Sequence, residues 1–248
     1  MQNPLTAELA RGRQRTDAFF SWIRPDALSL RAIAERHRLI FYLGHLEAFD
    51  WNLLATRVLG LPSIDPSLEA LFAFGIDPVD GKLPCDAPMD WPAIDVVQAF
   101  CQRVRTPLDA ALQRRLQADP QLDRPTRDAI EMAIEHRLMH LETLSYKLPQ
   151  LPLSAFIPAA CEAAREQPGP QQPGYDRVGG PRQARRIEIP AGRAAIGRRR
   201  DAQFGWDNEF GQHVIDVPAF ALDARPVTNG ELLTFVRAGG YADRGLWL

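Results

Sequence analysis

The chain has 248 residues, of which 46% are hydrophobic and 24% charged, and its formal net charge at pH 7 is −2. These values are typical of a soluble globular protein, and the length suits one large domain or two small ones. The near-neutral charge gives no reason to expect binding to nucleic acid or to a membrane surface, so neither is predicted as a partner.

The three cysteines, Cys85, Cys101 and Cys161, are scattered and show no CxxC spacing. This pattern indicates neither a disulfide framework nor a zinc knuckle, and a sparse, odd count is typical of a reducing cytoplasm. The N-terminus has neither the basic segment nor the apolar core of a signal peptide, and no apolar run reaches the length of a membrane span. We therefore expect a cytoplasmic protein.

Helices dominate the first two thirds of the predicted structure, because apolar residues recur there at i, i+3 and i+4. Pro107 falls inside one predicted helix and is expected to kink or divide it. Asp123 followed by Pro125 is typical of a helix start. Four main helices with short to medium connections predict an antiparallel bundle. The predicted helices cover roughly residues 6–23, 27–59 (in one or two pieces), 93–116 and 123–147, with a short one at 68–74.

The composition changes after a second short helix, predicted at about residues 153–165. Residues 167–174 are rich in Pro, Gly and Gln, which is typical of a linker. Beyond them, short β-branched runs predict strands at 186–190 and 213–217, and a helix is predicted at 229–238. The predicted organisation is a helical bundle over 1–165, a linker over 166–184 and the start of an irregular α+β domain over 185–248.

Three histidines lie in two of the amphipathic runs. His136 and His140 are four residues apart, which places them on one face of a helix, and His45 shares a face with Phe41 and Phe49. Three imidazoles in an apolar interior are costly unless they are satisfied, and a metal ion satisfies them while leaving coordination positions open. A plainer interpretation also fits: the spacing is coincidental, with one histidine buried and hydrogen-bonded and one at the surface.

Carboxylates could complete a different site. Glu47, Asp50 and Glu142 lie near the histidines in sequence, so a site of two histidines and one carboxylate is an alternative for iron. However, Glu142 lies about 200° around the helix from His140, and Glu47 is rotated similarly from His45. We therefore expect these carboxylates to lie outside the coordination sphere. His37 is predicted to lie at the surface. His213 carries no functional signal by itself.

Several segments resemble a known family. Residues 41–51, FYLGHLEAFDW, look like the first metal-histidine helix of DinB-like bundles, and residues 136–142, HRLMHLE, resemble the HxxxHxE motif of ergothioneine-type sulfoxide synthases. Residues 187–192 (IEIPAG), 204–210 (FGWDNEF) and 226–231 (PVTNGE) resemble the opening of a formylglycine-generating-enzyme-like, or sulfatase-modifying-factor, domain. The resemblance predicts a mainly α chain: a DinB-like four-helix bundle followed by the start of an irregular, C-type-lectin-like α+β domain.

The resemblance implies a mononuclear non-haem iron(II) enzyme. Such enzymes use O2 to join a cysteine-type thiol to the imidazole of a trimethylated histidine and to oxidise the sulfur. Carried over residue by residue, His45, His136 and His140 would be the iron ligands, and the thiol, trimethylhistidine and O2 the partners. Neutral imidazoles suit Fe(II), and three of them leave three octahedral positions for substrates. No catalytic or substrate-binding residue is assigned.

This chain differs from the family's pattern in two places. About sixty residues follow the predicted linker, so we expect a truncated second domain without the part that supplies the family's tyrosine for oxygen chemistry. Residues 72–82, including Lys82, do not match the expected substrate-carboxylate loop.

Two alternative functions stay open. One is a DinB-like thiol transferase or hydrolase with zinc or nickel on the same histidines. The other is an inactive metal-binding remnant that exposes Phe220, Leu222 and Phe235.

Overall fold

The computed structural model describes residues 3–73, 85–160, 186–201 and 204–247. It divides the chain into two compact units, Met1–Pro170 and Gln171–Leu248. Residues 161–165 of the second predicted short helix, the predicted linker, Cys161 and Lys82 lie outside the described residues, and the predicted domain bounds stay a prediction. Where that helix is described, it begins as a 3₁₀ turn, Leu153–Ala155. The two units are described separately below.

The first unit is helical, so the predicted mainly α fold is confirmed. Four long helices carry it, with α1 packed on α5 and α2 packed on α4. The last residue of α2 is followed directly by a π-helical segment, Trp51–Val58. In the described segments, none of the helices combines the length and apolar character needed to span a bilayer. The helices are α1 (Pro4–Ser21), α2 (Leu39–Asp50), α3 (Pro66–Leu71), α4 (Ile94–Ala118) and α5 (Arg124–Lys147).

The connection before α2 differs from the predicted helical run over 27–59, in one or two pieces, because residues 30–38 are not helical. A 3₁₀ turn, Pro25–Ser29, is followed by an irregular segment that lasts until Arg38. The Arg38 guanidinium donates to the Ser29 carbonyl at 2.7 Å and to the Asp86 carboxylate at 2.8 Å. These side-chain hydrogen bonds stabilise the segment, which forms no helix of its own.

Pro107 does not divide its helix, because α4 runs without a break from Ile94 to Ala118. Proline costs a helix one hydrogen bond, but α4 buries an apolar stripe on both sides of that position. Packing of the stripe offsets the local cost. The stripe consists of Val97, Phe100, Val104, Leu108 and Leu112.

Aromatic side chains form the part of the core that lies against α2. The Phe72 ring, just after α3, has its centroid 6.0 Å from that of Phe100 on α4 and 6.1 Å from that of Trp91. Phe41 on α2 lies 5.9 Å from Trp91, centroid to centroid. Phe41, Phe72 and Phe100 are almost fully buried. This cluster fixes the position of the α2 face that carries His45.

The second unit contains two antiparallel strand pairs and one helix. The predicted strands at 186–190 and 213–217 and the predicted helix are confirmed, whereas the other two strands were missed. The remnant interpretation expects three exposed apolar side chains. Phe220 and Leu222 are exposed, but Phe235 is half-buried against Tyr241 and Trp247. The elements are β1 (Arg186–Ile189) paired with β4 (Phe220–Asp223), β2 (Gly192–Ile196) paired with β3 (His213–Val217), and α6 (Asn229–Arg237).

A substitution at Gly44 tests this packing. A Cβ atom there would lie 2.5 Å from the Phe72 ring, whereas one at Gly12 would lie 3.3 Å from the stem of Arg137, a much smaller overlap. We expect Gly44→Ala to lower the free energy of unfolding by about 1–3 kcal/mol, because the ring must move. Gly12→Ala, the matched control, should cost less. Urea unfolding of the two variants measures this, and equal losses would contradict the packing described.

Candidate metal centre

Three buried histidines converge inside the bundle. His45 comes from α2, and His136 and His140 come from successive turns of α5. The Nε2 atom of His136 lies 3.2 Å from Nε2 of His45 and 3.1 Å from Nε2 of His140. One nitrogen from each ring lies within 4.8 Å of the others, which is a grouping that could hold a metal ion. The structure thus brings together the residues singled out in the sequence, and their role as ligands stays a prediction.

A backbone contact fixes the tautomer of His45. Its Nδ1 lies 2.7 Å from the Phe72 carbonyl oxygen, which can only accept a hydrogen bond. Nδ1 must therefore carry the proton, and the lone pair of Nε2 points to the other two imidazoles. The Phe41 ring stacks on His45 with 4.8 Å between centroids and 19° between planes. His45 is thereby oriented before any ligand binds.

Aromatic rings also cover the two histidines of α5. Phe49 stacks on His136 at 3.5 Å between centroids and 10° between planes, and Tyr42 meets His140 edge-on at 5.6 Å. A single Nε2 proton on His136 could be donated to only one of its two neighbours. The three imidazoles therefore cannot satisfy one another completely, whereas a cation would use all three lone pairs.

The nitrogen separations match those of imidazoles that share one ion. With metal–nitrogen distances of about 2.1 Å, two ligand nitrogens are about 3.0 Å apart at a right angle and about 3.4 Å apart at a tetrahedral angle. The observed 3.1 and 3.2 Å lie between these values. These two separations suit a first-row divalent metal in either geometry, and the nitrogens of the third pair, His45 and His140, lie within 4.8 Å of each other.

Burial keeps the three imidazoles neutral. It lowers the pKa of His140 to about 3, with His45 adding to the effect, and it lowers the pKa of His136 and His45 as well. The neutral imidazole is the form that binds a metal. The site is therefore ready for a cation at neutral pH without first losing protons.

The carboxylates considered from the sequence do not join this cluster. Glu142 is exposed. Glu47 and Asp50 are buried, but both pair with Arg137, at 3.1 and 2.7 Å. Within the residues that the structure describes, the histidines form the one group of three or more potential ligands close enough for an ion. A site with two histidines and one carboxylate is not what the side chains build.

Sequence reasoning missed two parts of the site's surroundings. The Phe72 carbonyl that orients His45 is a backbone group, so no residue type signals it. Arg137 was considered only as part of the HxxxHxE motif, yet it is almost fully buried and forms ion pairs with Glu47 and Asp50. Burial by itself would raise the pKa of Glu47, but Arg137 and Arg105 lower it to about 2, which keeps this carboxylate charged.

The surface position predicted for His37 was wrong. Its ring is half-buried and lies 4.1 Å from the Phe41 ring, centroid to centroid. The charged neighbours Glu35, Arg36 and Arg38 suggested exposure. However, His37, Phe41 and His45 follow one another at four-residue spacing, which was the available signal. His213 in the second unit is exposed.

Comparison with known proteins finds one matching family and several relatives. Residues 176–247 match the family described as the sulfatase-modifying factor enzyme 1-like domain. The chain is 29% identical over 228 residues to Ergothioneine biosynthesis protein 1 of Neurospora crassa. The aligned region covers 85% of this chain and 24% of that protein. The resemblance to ergothioneine-type sulfoxide synthases is confirmed.

Two further relatives support the same resemblance. Ergothioneine biosynthesis protein 1 of Schizosaccharomyces pombe is 24% identical over 252 residues, covering 90% of this chain and 31% of the relative. Hercynine oxygenase of Mycolicibacterium thermoresistibile is 47% identical over 47 residues, 19% of this chain and 10% of that protein. The chain thus spans about a quarter to a third of the length of the two biosynthesis proteins.

The neutral state of His140 predicts acid sensitivity of the metal-free protein. Its pKa is about 3 when folded and near 6.5 when unfolded, so between these values the unfolded chain binds an extra proton. Stability should therefore fall as the pH decreases, by about 1.4 kcal/mol per pH unit from this residue. Urea unfolding of metal-free protein at pH 6 and pH 5 should show a shallower decline in His140→Gln.

The exposed histidine provides the control for this measurement. His213→Gln should decline as steeply as the parent chain. Equal slopes for His140→Gln and the parent would contradict the burial of a neutral His140.

Proposed function

We propose that the chain is a non-haem iron(II), O2-dependent sulfoxide synthase of the ergothioneine type. The observation that carries the proposal is the convergence of three histidines: Nε2 of His136 lies 3.1–3.2 Å from Nε2 of His45 and of His140, and one nitrogen from each ring lies within 4.8 Å of the others. It is supported by the similarity to proteins named Ergothioneine biosynthesis protein 1 and Hercynine oxygenase. The proposed substrates are a cysteine-type thiol and a trimethylhistidine, with O2 as oxidant.

The three histidines would hold Fe(II) through their Nε2 atoms. When bound, iron would supply a redox centre for O2 and a Lewis acid that favours the ionised form of a thiol substrate. Three neutral ligands leave the site's net charge positive, which favours an anionic sulfur over a neutral one.

The chain's own residues would orient the ligands and exclude water. The Phe72 carbonyl fixes the proton of His45 on Nδ1. Phe41 and Phe49 cover two of the imidazoles with apolar rings. Electrostatic interactions are stronger in such a poorly hydrated site, so the positive charge of the metal would strongly stabilise the ionised form of a bound thiol.

A second candidate function uses the same histidines with zinc or nickel in a DinB-like thiol transferase or hydrolase. The nitrogen separations favour neither metal geometry, because they lie between the right-angle and tetrahedral values. Metal preference and dependence on O2 separate the two candidates.

Anaerobic titration of the metal-free chain with Fe(II) tests the proposal. We expect one equivalent to bind and His136→Ala to lose at least tenfold in affinity, because one of three ligands is gone. His213→Ala is the matched control and should bind as the parent does. Adding a thiol and trimethylhistidine to the loaded parent chain should then start O2 consumption.

Three results would count against the proposal. Unchanged Fe(II) affinity in His136→Ala would contradict the three-histidine metal site. Tight zinc binding together with thiol chemistry that needs no O2 would favour the second candidate. Metal binding without any reaction of either kind would leave the chain as the inactive metal-binding remnant considered from the sequence.

A further inference from the structure

A second buried polar cluster lies between the same two helices that carry the histidines. It contains two carboxylates from α2 and three guanidinium groups from three other helices. None of its members is more than half exposed, and four are almost fully buried. We call it the arginine clamp, and its members are Arg13, Glu47, Asp50, Arg105 and Arg137.

Arg137 is the member that joins α5 to α2. It follows His136 directly in sequence, and its guanidinium donates to the Asp50 carboxylate at 2.7 Å and to the Leu46 carbonyl at 3.1 Å. The Glu47 carboxylate lies 3.1 Å away. All three acceptors lie within five residues of His45 along α2. A single side chain therefore links the backbone beside one candidate ligand to the backbone beside another.

The other two arginines contact the same carboxylates from two other helices. Arg13 on α1 lies 3.3 Å from Asp50, and Arg105 on α4 lies 2.8 Å from Glu47. Neither reaches α5 through these bonds. The clamp thus contains one arginine that connects the two histidine helices and two that connect α2 to other helices.

The packing around Arg137 is as specific as its hydrogen bonds. A Cβ atom at Gly12 would lie 3.3 Å from the Arg137 side chain, so α1 approaches closely because that position is a glycine. The Thr16 hydroxyl accepts a further hydrogen bond from Arg137 at 3.2 Å. A shift of α5 by one turn would separate the guanidinium from all of these acceptors.

A metal site is sensitive to such shifts, because productive ligand geometry tolerates displacements of only about 0.5 Å. Buried ion pairs contribute little net stability, and their best-attested use is to fix the register between helices. We propose that Arg137, acting through Asp50, Glu47 and the Leu46 carbonyl, is a positioning residue that holds His136 and His45 at the separation a metal requires. This inference rests on the proposed function, because it takes the histidines as ligands.

Co(II) binding to the full chain tests the inference, since Co(II) reports its coordination through its visible absorption. Arg137→Met should reduce Co(II) affinity by about 10- to 100-fold, as loss of a ligand-supporting contact does elsewhere. It should also shift the absorption bands. Arg13→Met is the matched control: it removes a buried arginine from the same carboxylate but leaves the α2–α5 link in place. It should keep the affinity and the spectrum of the parent.

Urea unfolding of the metal-free variants separates positioning from stability. We expect Arg137→Met and Arg13→Met to be destabilised to a similar extent while only the former loses Co(II) affinity. If Arg137→Met does not fold, Arg137→Lys replaces it, because lysine keeps the charge but cannot reach several acceptors with one planar fork. It should fold and still bind Co(II) less tightly than Arg13→Met.

The outcomes distinguish this inference from the proposed function. If the parent and Arg137→Met bind Co(II) with the same affinity and spectrum, the positioning role is wrong while the metal site stands. A parent chain that does not bind Co(II), Fe(II) or Zn(II) would overturn the histidine site, and the inference with it. Equal loss of affinity in Arg13→Met and Arg137→Met would show that the clamp acts only through general stability.

Discussion

The placement of α5 against α2 is the constraint on which the site depends. Along this contact the His136 imidazole faces that of His45, and Arg137, the next residue, reaches the Leu46 carbonyl. Both contacts require the same register of the two helices. The histidines and the arginine clamp are therefore two consequences of one packing arrangement, although they lie on different faces of α2.

This arrangement is expensive to assemble. Neutral imidazoles and paired ions are moved out of water, and removing one partner of a buried ion pair typically costs about 3–5 kcal/mol. The apolar core around α2 and α4 supplies the opposing free energy through burial of large side chains such as Phe41, Phe72 and Trp51. The aromatic cluster thus does two things: it stabilises the bundle, and it places the Phe72 carbonyl on His45.

The sequence predicted the helices and the histidine cluster because both depend on local periodicity. His136 and His140 share a face by helical spacing alone, and the apolar neighbours of His45 marked it as inward-facing. The resemblance supplied the pairing of the two helices, which spacing cannot give. Contacts between distant residues without a repeating pattern were missed. The Arg137–Asp50 pair and the Phe72–His45 hydrogen bond span 87 and 27 residues respectively.

One of the two missed strands, β2, has a similar explanation. β2 contains Gly192 and two alanines, a composition with weak β propensity. Its pairing with β3, from Gly192 opposite Val217 to Ile196 opposite His213, is what makes it a strand. The start of α2 was misplaced because the preceding segment is held by Arg38 and Asp86, a contact between side chains 48 residues apart.

X-ray absorption spectroscopy of the chain loaded anaerobically with one equivalent of Fe(II) tests the central claim most directly. The account predicts three imidazole nitrogens in the first coordination shell at about 2.1 Å, recognised by the multiple scattering of their rings. It predicts no sulfur neighbour in the absence of a thiol substrate. A shell made of carboxylate and water oxygens, or one with fewer than three imidazoles, would contradict the claim that His45, His136 and His140 together hold the metal.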